Sequence, residues 1–345
     1  MTPAIQNVLI VGQGLGGTLL GWQLEKKGIA FKVVQSFPRR TASLVSAGMV
    51  DPISGQRLAL AYRVTDTLPL AQLYYQALEV EMGQSLLTEY PLWRLFRHPD
   101  DAALYQRKQS ALAPYVTALL PDAAGDGGIV VNGFQVLVAP IIRFFESKWR
   151  ANGTLIEKKM AWDTLVHTPT GIEWEGETAD MVMDCGGFGL ADGLFSFLPH
   201  RLSRGDVLRC RSEVPLPQRV VNDGHWMRPL PPHAFLWGAS YAWHHLYHTE
   251  AVHYHALESA MHRRYPHAWI ERVDCGIRHM LADAKPVLGR HPVYPRVAMM
   301  GGVGSKGTQL YPYLVSHCVA WLCEHKAVPV DIAVDRWATP DRLRG

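Results

Sequence analysis

Three glycines near the start of the chain, Gly12, Gly14 and Gly17, stand in G-x-G-x-x-G spacing directly after the apolar run Val8-Leu9-Ile10-Val11. That spacing suits the binding of a pyrophosphate. The first glycine permits a tight turn and the second lets backbone approach the phosphates with no Cβ in the way. The third lets the following helix pack closely on the strand. Leu15 and Gly16 complete the bend. A helix expected over residues 18–27 directs its unpaired amides and the positive end of its dipole at the anion, and Gly28 is placed to stop it. Residues 30–35 read as a second strand, so the whole is a βαβ unit whose expected ligand is a dinucleotide. The position that usually carries an acid for the adenosine ribose is Gln35, which can hydrogen-bond a hydroxyl but brings no charge. Arg39-Arg40 follow, an arrangement that also accommodates a 2′-phosphate and leaves NADP open.

A second glycine run lies far along the chain. Residues 297–300 read as a strand entering Gly301-Gly302-Val303-Gly304-Ser305-Lys306-Gly307, with Thr308 opening a long helix. That is another helix N-terminus suited to an anion. Between the two, the strand-like residues 181–184 end near Gly186-Gly187, a third place where backbone can come close to a ligand.

Composition bounds the alternatives. The 345 residues, 48 % hydrophobic and 19 % charged, can build one large or two intimately connected domains. A formal net charge of +3 without a basic run gives no reason to expect strong binding to nucleic acid or an anionic membrane. The opening MTPAIQN has no positive leader region, and no segment is long and apolar enough to span a bilayer, so a cytoplasmic protein is expected. The five cysteines are odd in number and scattered, which fits reduced thiols. Cys318 and Cys323 sit with His317 and His325 in an apolar helical stretch that suits packing better than metal ligation. His244, His245, His248, His253, His255 and His262 crowd one region without a spaced acid or cysteine to complete a metal shell, and read as surface groups.

The elements between these motifs are less regular. Residues 40–55 are small and turn-forming, suited to lie against a planar ligand. A helical pattern runs over 66–109, and the turn-rich stretch 121–128 breaks the chain. A strand at 129–131, a helix over 136–152 and a β-meander closing at 181–184 follow, then a β-rich stretch over 206–243 and helical periodicity over 249–264. Arg204-Gly205-Asp206 reads as a turn before a strand.

The C-terminal stretch resembles the flavin-dependent amine and D-amino acid oxidase family, the group containing glycine oxidase and sarcosine oxidase. The residues carrying the likeness are Gly276, Arg278, Asp283, Pro286, Gly289, Gly302, Lys306 and Gly307. Ser46-Ala47-Gly48 resembles the family's flavin-facing loop, residues 133–153 its helix before the middle strands, and Asp184 to Gly187 its Asn-x-x-Gly strand end. Departures are Gln35 for the usual acid, His279 where proline follows the arginine, and Lys285 for a glycine of the turn.

The resemblance implies an α/β fold with an α+β substrate lobe: a Rossmann-like FAD-binding domain from 1–75, 133–205 and 271–345, and a mixed antiparallel-sheet substrate domain from 76–132 and 206–270. It implies non-covalent FAD, held by Gly12, Gly14, Leu15, Gly16, Gly17, Gln35, Ser46, Ala47, Gly48, Gly187, Gly302, Gly304, Ser305, Lys306, Gly307 and Thr308. It further implies hydride transfer from the carbon beside nitrogen of a small amine or amino acid to flavin N5. Arg278 would hold a substrate carboxylate, and Lys306 with the Gly307 and Thr308 amides would face charge developing on the ring. Three alternatives stand beside it. An NADP-dependent dehydrogenase leaves the second glycine loop unexplained. A flavin hydroxylase needs a Gly-Asp before the last helix, whereas Gly205-Asp206 lies elsewhere. A tRNA-modifying or non-catalytic flavoprotein is the third.

Overall fold

A computed structural model describes residues 5–37, 41–88, 90–121, 127–244, 246 and 254–338. The chain divides into two compact units, one of Met1–Leu44, Val138–Leu202 and Ile277–Gly345, the other of Val45–Leu137 and Ser203–Gly276.

The first unit is built on a six-stranded sheet in the order Leu155–Ile156, Ala30–Val34, Asn7–Val11, Met181–Asp184, Val297–Gly301, Val287–Arg290. The first five strands are parallel and the last is antiparallel to its neighbour. Asn7–Val11 is apolar throughout its buried part because both faces are covered: Val8 and Ile10 are fully buried on one side and Leu9 almost fully on the other. The Leu15–Lys26 helix packs on the Gly307–Glu324 and Val138–Ala151 helices. On the face carrying Leu9, the residues Val11, Val182, Val297 and Met299 pack with Phe195 and with Ile172 and Trp174 of a small three-stranded sheet.

The second unit carries a sheet in which His200–Ser212 pairs with Ala234–Gly238, that strand with Trp226–Leu230, and that in turn with Val220–Asn222, all antiparallel. Val220–Asn222 then pairs parallel with Leu92–Leu95, which is antiparallel to Gly128–Val131. One face buries Leu208, Cys210, Met227, Phe235 and Trp237 under Leu257 and Met261 of the His255–Arg264 helix. Farther across the sheet, Leu92, Ile129, Val131 and Val220 pack with Ile53, Val64, Tyr105 and Leu112.

Several local expectations are corrected. Residues 66–109 are not continuously helical: the helices Val64–Met82 and Pro99–Leu112 flank the strands Leu87–Thr88 and Leu92–Leu95. Leu92–Leu95 becomes a strand because partners far away in sequence supply its backbone hydrogen bonds. The first helix begins at Leu15, since the Thr18 amide already bonds Gly14 O at 3.0 Å. Arg204-Gly205-Asp206 is not a turn but the interior of the His200–Ser212 strand. Two apart on a strand, Arg204 and Asp206 share a face, where they form a buried pair at 2.9 Å that Ser240 Oγ supports by donating to Asp206 Oδ2 at 2.7 Å. Arg39, Arg40, His245, His248 and His253 lie outside the described residues. Among the described residues no cluster of His, Cys, Asp and Glu is arranged to hold a metal, and no helix is long and apolar enough to cross a membrane.

Candidate functional site

Three strand ends meet at one edge of the parallel sheet in the first unit. Val11 pairs with Asp184, and Asp184 with Met299. The bends at 12–17, 185–187 and 301–307 therefore leave the carboxyl edge side by side. Asn7–Val11 continues through its helix to Ala30–Val34 on one side, while Met181–Asp184 has Val297–Gly301 on the other. This is a topological switch point, where open α/β sheets hold their ligands.

The first bend is tightly determined. Gly12 has φ +95° and donates its N–H to Val34 O at 2.8 Å; a Cβ there would lie 2.8 Å from Cys185 O. A Cβ on Gly17 would overlap Gly12 O, and one on Gly16 would overlap the Tyr311 ring. Gly14 differs, because its Cβ would meet only the Thr41 and Ser43 hydroxyls at 3.4 Å. Ser43 Oγ accepts the Leu15 N–H at 3.1 Å and so holds the helix start. Gln35 braces the same bend: its Oε1 accepts the Gln13 N–H at 2.7 Å, and its Nε2 donates to Ser36 O at 2.7 Å.

At the middle bend, Asp184 is buried and its Oδ1 accepts the Gly186 N–H at 2.9 Å. Burial raises its carboxyl from 3.8 to about 7, although the Gly186 amide pulls the other way. Gly187 is left-handed at φ +63°, with no atom within 4 Å of the place a Cβ would occupy.

The third bend carries Gly302 and Gly304 in left-handed conformations, and the single turn Gly304–Lys306 runs into Gly307–Glu324. Thr308 is buried, Lys306 and Gly307 are half-buried and Ser305 is exposed. Met280 bridges to Val303, which sets the half-buried Arg278 and the buried His279 beside this bend. His279 Nδ1 accepts the Gly302 N–H at 3.3 Å, and its Nε2 lies 2.8 Å from His200 Nδ1. Below the bend, Asp283 Oδ1 accepts the Lys285 N–H at 3.1 Å and Asp283 Oδ2 receives Arg336 Nε at 3.0 Å, a fixed turn.

Ser46, Ala47 and Gly48 belong to the second unit. There Ser46 Oγ accepts the Gly48 N–H at 3.0 Å, and Gly48, at φ +69°, approaches the backbone of Val136 so closely that a Cβ would overlap Val136 O. Sequence reasoning did not single out Ser43 or His200. Ser43 lies in the small-residue stretch already noted, whereas His200 has no local signal because its partner is 79 residues away.

Glycine bends at a switch point, two of them feeding helix N-termini, mark a dinucleotide-binding domain of the α/β class. The family model described as FAD dependent oxidoreductase matches residues 7–320, and the chain belongs to that family; FAD is its cofactor. The bends fit that group at Gly14 and Gly187, where a Cβ would meet no backbone and a pyrophosphate can come close, while the Gly12, Gln13 and Leu15 amides are held by Val34, Gln35 and Ser43.

Solved structures agree in fold. Glycine oxidase from Geobacillus kaustophilus is 20 % identical with a TM-score of 0.78, over 94 % of this chain and 96 % of that one. Iminodiacetate oxidase from Chelativorans sp. is 18 % identical with a TM-score of 0.77, over 94 % and 97 %. L-proline dehydrogenase from P. horikoshii is 13 % identical with a TM-score of 0.70, over 94 % and 95 %.

Proposed function

We propose that the protein oxidises a C–N bond of a small amine or amino acid, with FAD bound non-covalently. The observation that carries this reading is the register Val11, Asp184, Met299, which puts three glycine-bearing bends on one sheet edge beside the strand bearing Arg278. Structural neighbours named for glycine, iminodiacetate and L-proline support the substrate class.

When bound, FAD would supply the acceptor for hydride lost from the carbon beside the substrate nitrogen. Residues of the chain do the remaining work. The Gly14, Gly16 and Gly17 amides at the start of the Leu15–Lys26 helix hold the pyrophosphate, Gly12 shapes the bend that presents them, and Gln35 faces the ribose end. Gly187, Gly302, Gly304 and Ser305 line the approach, while the Gly307 and Thr308 amides and Lys306 supply fixed positive potential for charge developing on the ring. Arg278 grips a substrate carboxylate with two parallel hydrogen bonds. Anaerobic addition of amines and amino acids to the yellow protein tests the reading: bleaching by at least one of them supports it, and a spectrum indifferent to the whole panel refutes it.

A further inference from the structure

The second unit contains three buried arginines on its sheet strands, and two have fixed partners. Arg94 pairs with Asp51 at 2.9 Å and donates to Ile53 O at 2.7 Å and Gly55 O at 3.1 Å. Arg204 pairs with Asp206. Arg228, on Trp226–Leu230, is only 5 % exposed, yet its side chain makes no hydrogen bond or ion pair with any described residue, and its Nε is buried without an acceptor. Burial alone pushes its guanidinium down from its ordinary value, with Tyr90 opposing this in part. Arginine nonetheless stays charged in proteins, so among the described residues no anion compensates this buried cation.

Its surroundings are specific. Met227 pairs with Trp237 in the core under the His255–Arg264 helix, so Arg228, paired with Leu236, points to the opposite face of the sheet. Trp226, two residues before it, shares that face and is held against the backbone of Gly238, where a Cβ would lie 2.6 Å from its ring. Trp226 and Leu236 are both half-buried. A guanidinium fork with no partner, beside an indole and a leucine, offers one positive charge and an apolar wall. That composition suits a monoanion with an apolar body; a phosphate dianion would need more donors than the one fork.

We propose that Arg228 is the receptor for the carboxylate of a small organic ligand with an apolar body, a site distinct from the role given to Arg278. The proposal does not require the oxidation chemistry to be right, because binding can be read without turnover.

The test uses the purified holoprotein, with benzoate as probe and neutral benzamide and inorganic sulfate as controls. Calorimetry and thermal unfolding are run on the wild type, Arg228→Met and Arg228→Lys. Benzoate is expected to bind and raise the melting temperature of the wild type, with benzamide and sulfate inert. In Arg228→Met, benzoate affinity falls by about thirtyfold or more. The ligand-free melting temperature of that variant is equal to or above the wild-type value, since an apolar side chain removes a buried unpaired charge. Arg228→Lys keeps weakened binding. Benzoate binding unchanged in Arg228→Met places the anion elsewhere and overturns the proposal, as does a wild type that ignores benzoate. A ligand-free Arg228→Met that melts well below the wild type makes the arginine a structural element and overturns it too. Carboxylate binding that depends on Arg228, in a protein no amine or amino acid reduces, leaves this site standing while the redox reading fails.

Discussion

His279 Nε2 lies 2.8 Å from His200 Nδ1, and the contacts on either side leave one arrangement of protons. His279 Nδ1 accepts the Gly302 N–H, so its proton sits on Nε2 and is donated to His200; His200 Nε2 then donates to Phe195 O at 2.7 Å. Two neutral imidazoles thus tie the third glycine bend to the segment after the middle strand. Burial lowers the pKa of both, His279 to about 3. His200→Ala leaves a buried His279 N–H without its acceptor and should cost about 1–3 kcal/mol. Urea unfolding of the variant checks this, and unchanged stability would mean the relay is idle.

Asp184 and His279 set opposing pH dependences. Asp184 titrates at about 7 in the fold against 3.8 unfolded, so the folded state holds the extra proton between those values and stability falls as pH rises. His279 titrates at about 3 against 6.5, so the unfolded chain takes the extra proton and stability is lost as pH falls through that window. Each slope reaches about 1.4 kcal/mol per pH unit, and they cancel where the windows overlap. In cofactor-free Asp184→Asn, stability should climb steadily from pH 4 to 6.5. A profile as flat as the parent's would contradict the assignment.

The second and third glycines of the fingerprint separate folding from binding. Gly17→Ala forces a Cβ into Gly12 O and should lower stability by about 1–3 kcal/mol together with FAD binding. Gly14→Ala meets only ordinary contacts at 3.4 Å, so its melting temperature stays near the parent's while FAD titration shows weakened affinity. Equal losses of stability in both variants would remove the phosphate role of Gly14.

Arg278→Ala should weaken a carboxylate substrate by about 2–5 kcal/mol in kcat/KM, the usual loss when one member of a buried charge pair is removed. Steady-state kinetics over a panel of amino acids measures it; kinetics matching the parent's would end the carboxylate role.

Local signals made the nucleotide half legible. The fingerprint spacing and the apolar run before it depend on neighbours in sequence, and the strand Met181–Asp184 was bounded by its own apolar pattern. The second unit was harder, because Leu92–Leu95 takes its structure from Gly128–Val131 and Val220–Asn222. Arg204 and Asp206 read as a polar turn, since nothing nearby shows that Ser240 will reach Asp206 across a strand pair. Arg228 was silent for the same reason: an arginine's burial, and its lack of a partner, are properties of the folded sheet. In the site, the raised carboxyl of Asp184 comes from packing that no motif encodes.

The most direct measurement is the visible spectrum of the purified protein before and after anaerobic addition of small amines and amino acids. An oxidised flavin spectrum that bleaches with a member of the panel, while the flavin is released on denaturation, is the predicted result. A flavin spectrum that none of them changes, or flavin that stays attached to the unfolded chain, would contradict the account.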